Sequence, residues 1–193
     1  MPPVLILPGL GSSGLEHWQT HWEKQNPDFV RVEQRDWDRP DREDWIATLD
    51  RAIAAQPAPP LLVAHSLSCA LVAHWAAKHG RALYGAMLVA PADVDSEKHT
   101  PPEVRGFAPM PLRRIPGRTI VVASADDPYV DPARAASFAT AWGASFVSAG
   151  AHGHINSASG LRDWPAGQRL LAELMSGSVP VPGGSMQTRA RSL

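Results

Sequence analysis

Leu61-Leu62-Val63-Ala64-His65-Ser66-Leu67-Ser68-Cys69-Ala70 is an apolar run that stops at a serine and passes at once into a helical pattern. Apolar without interruption, the run reads as a parallel strand buried on both faces, with a helix starting directly behind it. Ala64 and Ser68, two residues either side of Ser66, are both small. A strained strand-turn-helix corner that pushes one hydroxyl out at the end of a sheet needs small neighbours there, because the backbone comes close. Both glycines of the Gly-x-Ser-x-Gly form are replaced, so the relaxed pattern holds where the strict one fails. Ser66 as a simple N-cap after a buried strand is the competing reading.

Upstream of this corner, Val4–Leu7 is a second buried strand, followed by the turn Pro8-Gly9-Leu10-Gly11-Ser12-Ser13-Gly14. Neither a dinucleotide fingerprint nor the Gly-Lys-Ser/Thr of a phosphate loop follows it. With a serine corner elsewhere, the turn reads as an oxyanion loop, whose glycines let backbone N–H groups face a reacting carbonyl. A helix is expected over 17–25. His17 and His21 lie four apart on it, a zinc-compatible spacing, but a metalloprotease glutamate and a third ligand are missing. Residues 29–33 alternate like a more exposed strand. The next helix runs through Trp45, Ile46, Leu49 and Ile53, and the prolines of 57–60 end it.

Downstream, Leu67, Ala70, Leu71, His74, Trp75 and Lys78 continue a helix that stops at Gly80. A strand is expected over 83–90, then a Pro-rich, irregular stretch over 92–117 that reads as the rim of a site. Arg118–Ala123 is a strand, Pro132–Trp142 a helix, 145–147 a short strand and 164–175 a last helix. From Ser176 to Leu193 the chain is Gly, Pro, Ser and Arg without apolar periodicity, and a disordered tail is expected there, leaving one domain over 1–175. Six strands alternating with helices predict an α/β fold, a three-layer α/β/α sandwich of parallel strands. With the order 2-1-3-4-5-6, the reversal point falls between the first strand and the strand before Ser66, which brings the glycine turn beside the serine.

A serine hydroxyl needs a base to become a nucleophile, and the base needs a carboxylate to orient it. Both residue types follow later strands, in the chain order Ser, Asp, His. Asp126 and Asp127 are the acid candidates, and His152 and His154 the base candidates, with at most one of each pair in use. Turn aspartates and surface histidines are the bland alternative for each alone. All four features falling after strands is harder to obtain by accident.

Pro8-Gly9-Leu10-Gly11, His17-Trp18, Asp36-Trp37-Asp38-Arg39-Pro40, Val63-Ala64-His65-Ser66-Leu67-Ser68-Cys69, Asp126-Asp127-Pro128-Tyr129-Val130 and Gly153-His154-Ile155-Asn156 together resemble the small serine hydrolases of the retinoblastoma-binding protein 9 and YdeN type. The likeness spans roughly residues 4–175. It implies a minimal α/β-hydrolase fold without a lid domain, with Ser66 as nucleophile, Asp127 as acid and His154 as base. It further implies that the backbone N–H groups of Leu10 and Leu67 form the oxyanion hole and that no cofactor is required. Ser68 departs from the glycine usual at that position. Trp18 and Trp37 are candidates for the pocket wall, or else for the core.

Composition bounds these readings. The chain has 193 residues, 44% of them apolar, 19% charged, with a formal net charge of -1 and one cysteine, Cys69. Such a balance leaves no electrostatic footprint for nucleic acid or an anionic membrane surface, and a single cysteine excludes an internal disulfide framework. Pro2 and Pro3 lead straight into the first strand without a basic or long apolar leader, so a cytoplasmic location is expected. The expected activity is hydrolysis of small carboxylic esters, thioesters or amides, with a small acyl compound as the partner. A protein-binding scaffold with little turnover is the alternative from another class. Retinoblastoma binding has no support, because no Leu-x-Cys-x-Glu motif surrounds Cys69. A flavodoxin-like cofactor binder is a third reading.

Overall fold

In the computed structural model, which describes residues 1–178, six parallel strands form one sheet in the order 2-1-3-4-5-6. The strands are β1 (Val4–Leu7), β2 (Phe29–Arg31), β3 (Leu61–His65), β4 (Gly85–Val89), β5 (Arg118–Ala123) and β6 (Ser145–Ser148). Between them run α1 (Trp18–Gln25), α2 (Arg42–Ala54), α3 (Leu67–His79), α4 (Pro132–Trp142) and, after the last strand, α5 (Pro165–Ser176). Order and parallel sense match the sequence expectation, and no lid domain is inserted.

Successive strand side chains alternate between faces, and both faces are apolar. Leu5, Leu7, Leu62, Ala64, Leu88 and Val121 point one way, into a cluster with Trp45 and Leu49 of α2, Leu71 and Trp75 of α3, and Phe138 and Trp142 of α4. Val4, Ile6, Val63, Met87, Val89 and Val122 point the other way, against Trp18 and Trp22 of α1 and Leu171 and Leu174 of α5. This two-sided burial is why the four central strands read as continuous apolar runs. The edge strands β2 and β6 keep half-exposed patterns.

Helix limits follow local chemistry. Asp41 caps α2 by accepting the Asp44 N–H at 2.8 Å, Pro132 and Pro165 occupy the first turns of α4 and α5, and Gly80 closes α3 in the left-handed conformation at φ 60°. The 92–117 stretch is largely irregular but contains a 3-10 turn, Pro102–Phe107, whose Val104 and Phe107 are buried. The stretch is tied down by Asp95, which accepts the Met110 N–H at 2.9 Å and pairs with Arg134 at 2.7 Å. The last helix runs to Ser176, one residue into the expected tail, and Gly177 closes it. Beyond Ser178 that tail lies outside the described residues.

Leu62 sits on the central strand and is fully buried. Leu62→Ala is expected to lower unfolding stability by about 2–5 kcal/mol, as core leucine truncations do. A urea titration with an unchanged slope and a shifted midpoint is the measurement that checks it.

Candidate active site

The β3–α3 corner holds Ser66 at φ 57°, ψ -121°, a backbone conformation that L-residues avoid and that the surroundings must impose. Its own N–H donates to the Val89 carbonyl at 3.0 Å, and its carbonyl accepts the Cys69 N–H at 3.0 Å. The glycine turn after β1 lies directly against this corner. A Cβ on Gly9 would stand 2.9 Å from Ser66 Cβ and 3.0 Å from the His65 carbonyl oxygen, so no larger residue fits there. Ser68, buried on α3, donates its hydroxyl to the Pro8 carbonyl at 2.6 Å. The serine that departs from the usual glycine is therefore small enough for the corner and makes a bond across it.

Leu10 follows Gly9 on this turn and borders the same cavity as Ser66. Gly11 N–H donates to the Trp37 carbonyl at 2.9 Å and Ser12 N–H to the Gly9 carbonyl at 3.1 Å. Among the described residues, no acceptor takes the Leu10 N–H between them. Leu67 is the first residue of α3, where backbone N–H groups have no carbonyl partner inside the helix.

From the far side of the sheet, the loops after β5 and β6 bring in the remaining two groups. His154 Nε2 lies 2.7 Å from Ser66 Oγ, and His154 Nδ1 lies 2.9 Å from each carboxylate oxygen of Asp127. Asp127 also accepts the Tyr129 N–H at 2.9 Å, and its side chain is fully buried. The chain Asp127–His154–Ser66 is thus hydrogen-bonded end to end, joining residues far apart in sequence. Asp126 and His152 stand outside it. Asp126 accepts the Ser124 hydroxyl at 2.7 Å and the Gly153 N–H at 2.8 Å, which shapes the turn carrying His154. The Ser124 hydroxyl, with the Gly153 N–H, holds the Asp126 carboxyl below its ordinary range. His152 is exposed and is held through its backbone N–H, which donates to Ser124 Oγ at 2.8 Å.

A second ring of groups, to which the sequence reading gave no such role, fixes the His154 loop. His65 Nε2 reaches the His154 carbonyl at 2.9 Å, and Trp18 Nε1 donates to the Ile155 carbonyl at 2.8 Å. His17 lies edge-on to His65, with ring centroids 4.7 Å apart, and its Nδ1 accepts the Gln19 N–H at 3.2 Å. Burial pushes His17 down to about 3, helped by Arg31 and His154. His65 is driven well below its ordinary value by burial and by its neighbours His17 and His154. Both imidazoles are neutral and set no positive charge beside His154. Gln19, fully buried, donates to the carbonyls of Leu7, at the end of β1, and Val63, in the middle of β3. No local pattern announces these roles, because each partner lies on another loop or strand.

Ser66 and His154 open onto a cavity of about 410 Å³. Its apolar wall includes Leu10, Ala92, Pro101 and Val104, and its polar wall Ser12, Thr100, Tyr129 and Asn156. Stretch 92–117 does form part of the rim. Trp18 and Trp37 are not part of the wall, which corrects the expectation for them. Trp18 is drawn into the core between Trp22 and Trp164 while its N–H serves the Ile155 carbonyl, and Trp37 packs edge-on against Trp45. Tyr129 is a lining residue that sequence reading left without a role; its ring lies 4.4 Å from that of His154. The other features raised for the sequence find plain occupations. His21 Nδ1 pairs with Asp163 at 2.9 Å, and burial drives the Cys69 thiol far up, away from reactivity. Among the described residues, no group of three His, Cys, Asp or Glu side chains is placed to hold a metal ion, and no helix is long and apolar enough to cross a membrane.

The family described as Serine hydrolase matches residues 4–173. Among solved structures, a YdeN-like hydrolase from Pectobacterium atrosepticum is 30% identical with a TM-score of 0.82, over 93% of this chain and 94% of that one. The ydeN gene product of Bacillus subtilis is 21% identical with a TM-score of 0.75, over 91% of this chain and 100% of that one. Est1E from Butyrivibrio proteoclasticus, solved with ferulic acid bound, shares the fold at 11% identity and a TM-score of 0.70, over 91% and 90%. A search of curated proteins finds no match.

The two neutral histidines make stability depend on pH. In the unfolded chain each takes up a proton below its ordinary value of 6.5, and in the fold neither does until far lower pH. Unfolding therefore binds protons, so their contribution is complete above 6.5 and is lost as pH falls below it, for His17 down to about 3. Within that window His17 contributes a slope of up to about 1.4 kcal/mol per pH unit. Urea midpoints measured across the acid range should fall as pH drops, and more shallowly in His17→Asn, which keeps an oxygen to cap α1.

Proposed function

Because the chain belongs to the serine hydrolase family, we propose that it hydrolyses small carboxylic esters, or the related thioesters and amides, through an acyl-enzyme on Ser66. The unbroken chain of hydrogen bonds from Asp127 through His154 to Ser66 carries this reading.

His154 Nε2 takes the Ser66 proton as Oγ attacks the substrate carbonyl. Its Nδ1–H then donates to Asp127, which stays ionised, fixes the tautomer and stabilises the imidazolium. The carbonyl oxygen becomes an oxyanion, held by the N–H groups of Leu10 and Leu67. As the intermediate collapses, His154 returns the proton to the leaving alcohol, thiol or amine, and the acyl group stays on Ser66. Water then enters, loses a proton to His154 and attacks the acyl carbon, releasing the acid and restoring the serine. Neutral neighbours suit this cycle, since a charged His17 or His65 would oppose formation of the His154 imidazolium.

The cavity wall favours an uncharged acyl group, because no Lys, Arg, Asp or Glu lines it. Its apolar patch at Ala92, Pro101 and Val104 offers room for a short chain, with hydroxyls and an amide opposite.

A fluorophosphonate is expected to add once, on Ser66, with labelling abolished in Ser66→Ala and His154→Ala. On p-nitrophenyl esters of graded acyl length, Ser66→Ala, His154→Ala and Asp127→Asn should each lower kcat by about four to six orders of magnitude. An unlabelled wild-type protein that turns over none of these esters would favour the scaffold reading instead.

A further inference from the structure

The two amides assigned to the oxyanion sit on separate segments. Leu10 belongs to the turn after β1 and Leu67 to the start of α3, and an oxyanion hole works only if both keep their relative position while charge develops. Gly9, between Pro8 and Leu10, has no side chain to brace the turn. Its contact with Ser66 is a close approach that the corner permits but that van der Waals forces alone would hold loosely.

Ser68 supplies the missing tie. A serine early in a helix ordinarily bonds its own backbone or water. This one is buried, 1% exposed, and instead donates its hydroxyl to the Pro8 carbonyl, 60 residues away in sequence, at 2.6 Å. The donor lies one residue after Leu67 and the acceptor two residues before Leu10. We propose that Ser68 is a positioning residue: its hydroxyl locks the glycine turn onto the α3 corner and so holds the Leu10 and Leu67 N–H groups in register. This rests on the hydrolase reading above. It goes further in assigning a function to the side chain that replaces the usual elbow glycine. Loosening the tie matters most where the N–H groups meet full charge, so it weakens the transition state more than substrate binding.

Ser68→Ala and Ser68→Gly, made in the full chain, test this. With the wild type established as active, both variants are expected to lower kcat and the fluorophosphonate labelling rate by about 10-fold, the value of one buried hydrogen bond transmitted to the transition state. KM is expected to change less than about two-fold, and both variants, although the unpaired Pro8 carbonyl lowers their urea midpoints, are expected to stay fully folded under the assay conditions. Hydrogen exchange at the hydrogen-bonded Gly11 and Ser12 amides should quicken by about 5- to 10-fold, with exchange in β3 and β4 unaltered. Unchanged kcat in both variants, or a loss of activity that tracks a general loss of stability, overturns the proposal. Should the wild type itself prove inactive and unlabelled, the hydrolase reading falls, and the exchange rates alone then decide whether Ser68 holds the turn.

Discussion

The close approach of Gly9 to Ser66 is the constraint on which the site depends. A serine at φ 57° costs backbone strain, and the strain persists only because β3, α3 and the turn after β1 converge on it. The absence of a Cβ at Gly9 lets two backbones meet within van der Waals distance. That meeting sets Leu10 of the turn and Ser66 on the wall of one cavity. The sheet order makes it possible: β1 and β3 are neighbours with β2 outside them, so the loops leaving their ends diverge and open a cleft between them.

Around that meeting point, polar groups are paired across the sheet rather than along it. Gln19 bridges β1 and β3, His65 and Trp18 hold successive carbonyls of the His154 loop, and Asp126 shapes the turn before it. Each bond is ordinary in length. Together they take the His154 imidazole from a loop, where backbone is usually free to shift, and set it with its Nε2 2.7 Å from the Ser66 hydroxyl. Burial does a second service by keeping His17 and His65 uncharged. Two of the three clustered imidazoles thereby add no positive charge beside the third.

Much of this was legible beforehand. Uninterrupted apolar runs at Val4–Leu7 and Leu61–His65 announced strands buried on both faces, and their alternation with helices announced a parallel sheet. Prolines and glycines marked where helices begin and end to within a residue or two. Small residues around Ser66 marked the corner. Less local features were left open or passed over. Aromatic character alone leaves Trp18 and Trp37 between pocket wall and core, and the fold decides against the wall: Trp18 belongs to the core and Trp37 packs against Trp45.

By itself the chain determined the element order, the faces of each helix and strand, and the turn chemistry at Gly9, Ser66 and Gly80, because these follow from periodicity and from steric limits within a few residues. Family likeness singled out Asp127 and His154 where local sequence left Asp126 and His152 equally open, but only the tertiary structure joined them to each other and to Ser66, put His65 under the His154 carbonyl, and turned the Ser68 hydroxyl toward Pro8. Adjacent residues in a turn differ little in local propensity, and what separates them is direction: one side chain points into the cleft and the next away. That direction is set only when loops from distant strands close on one another.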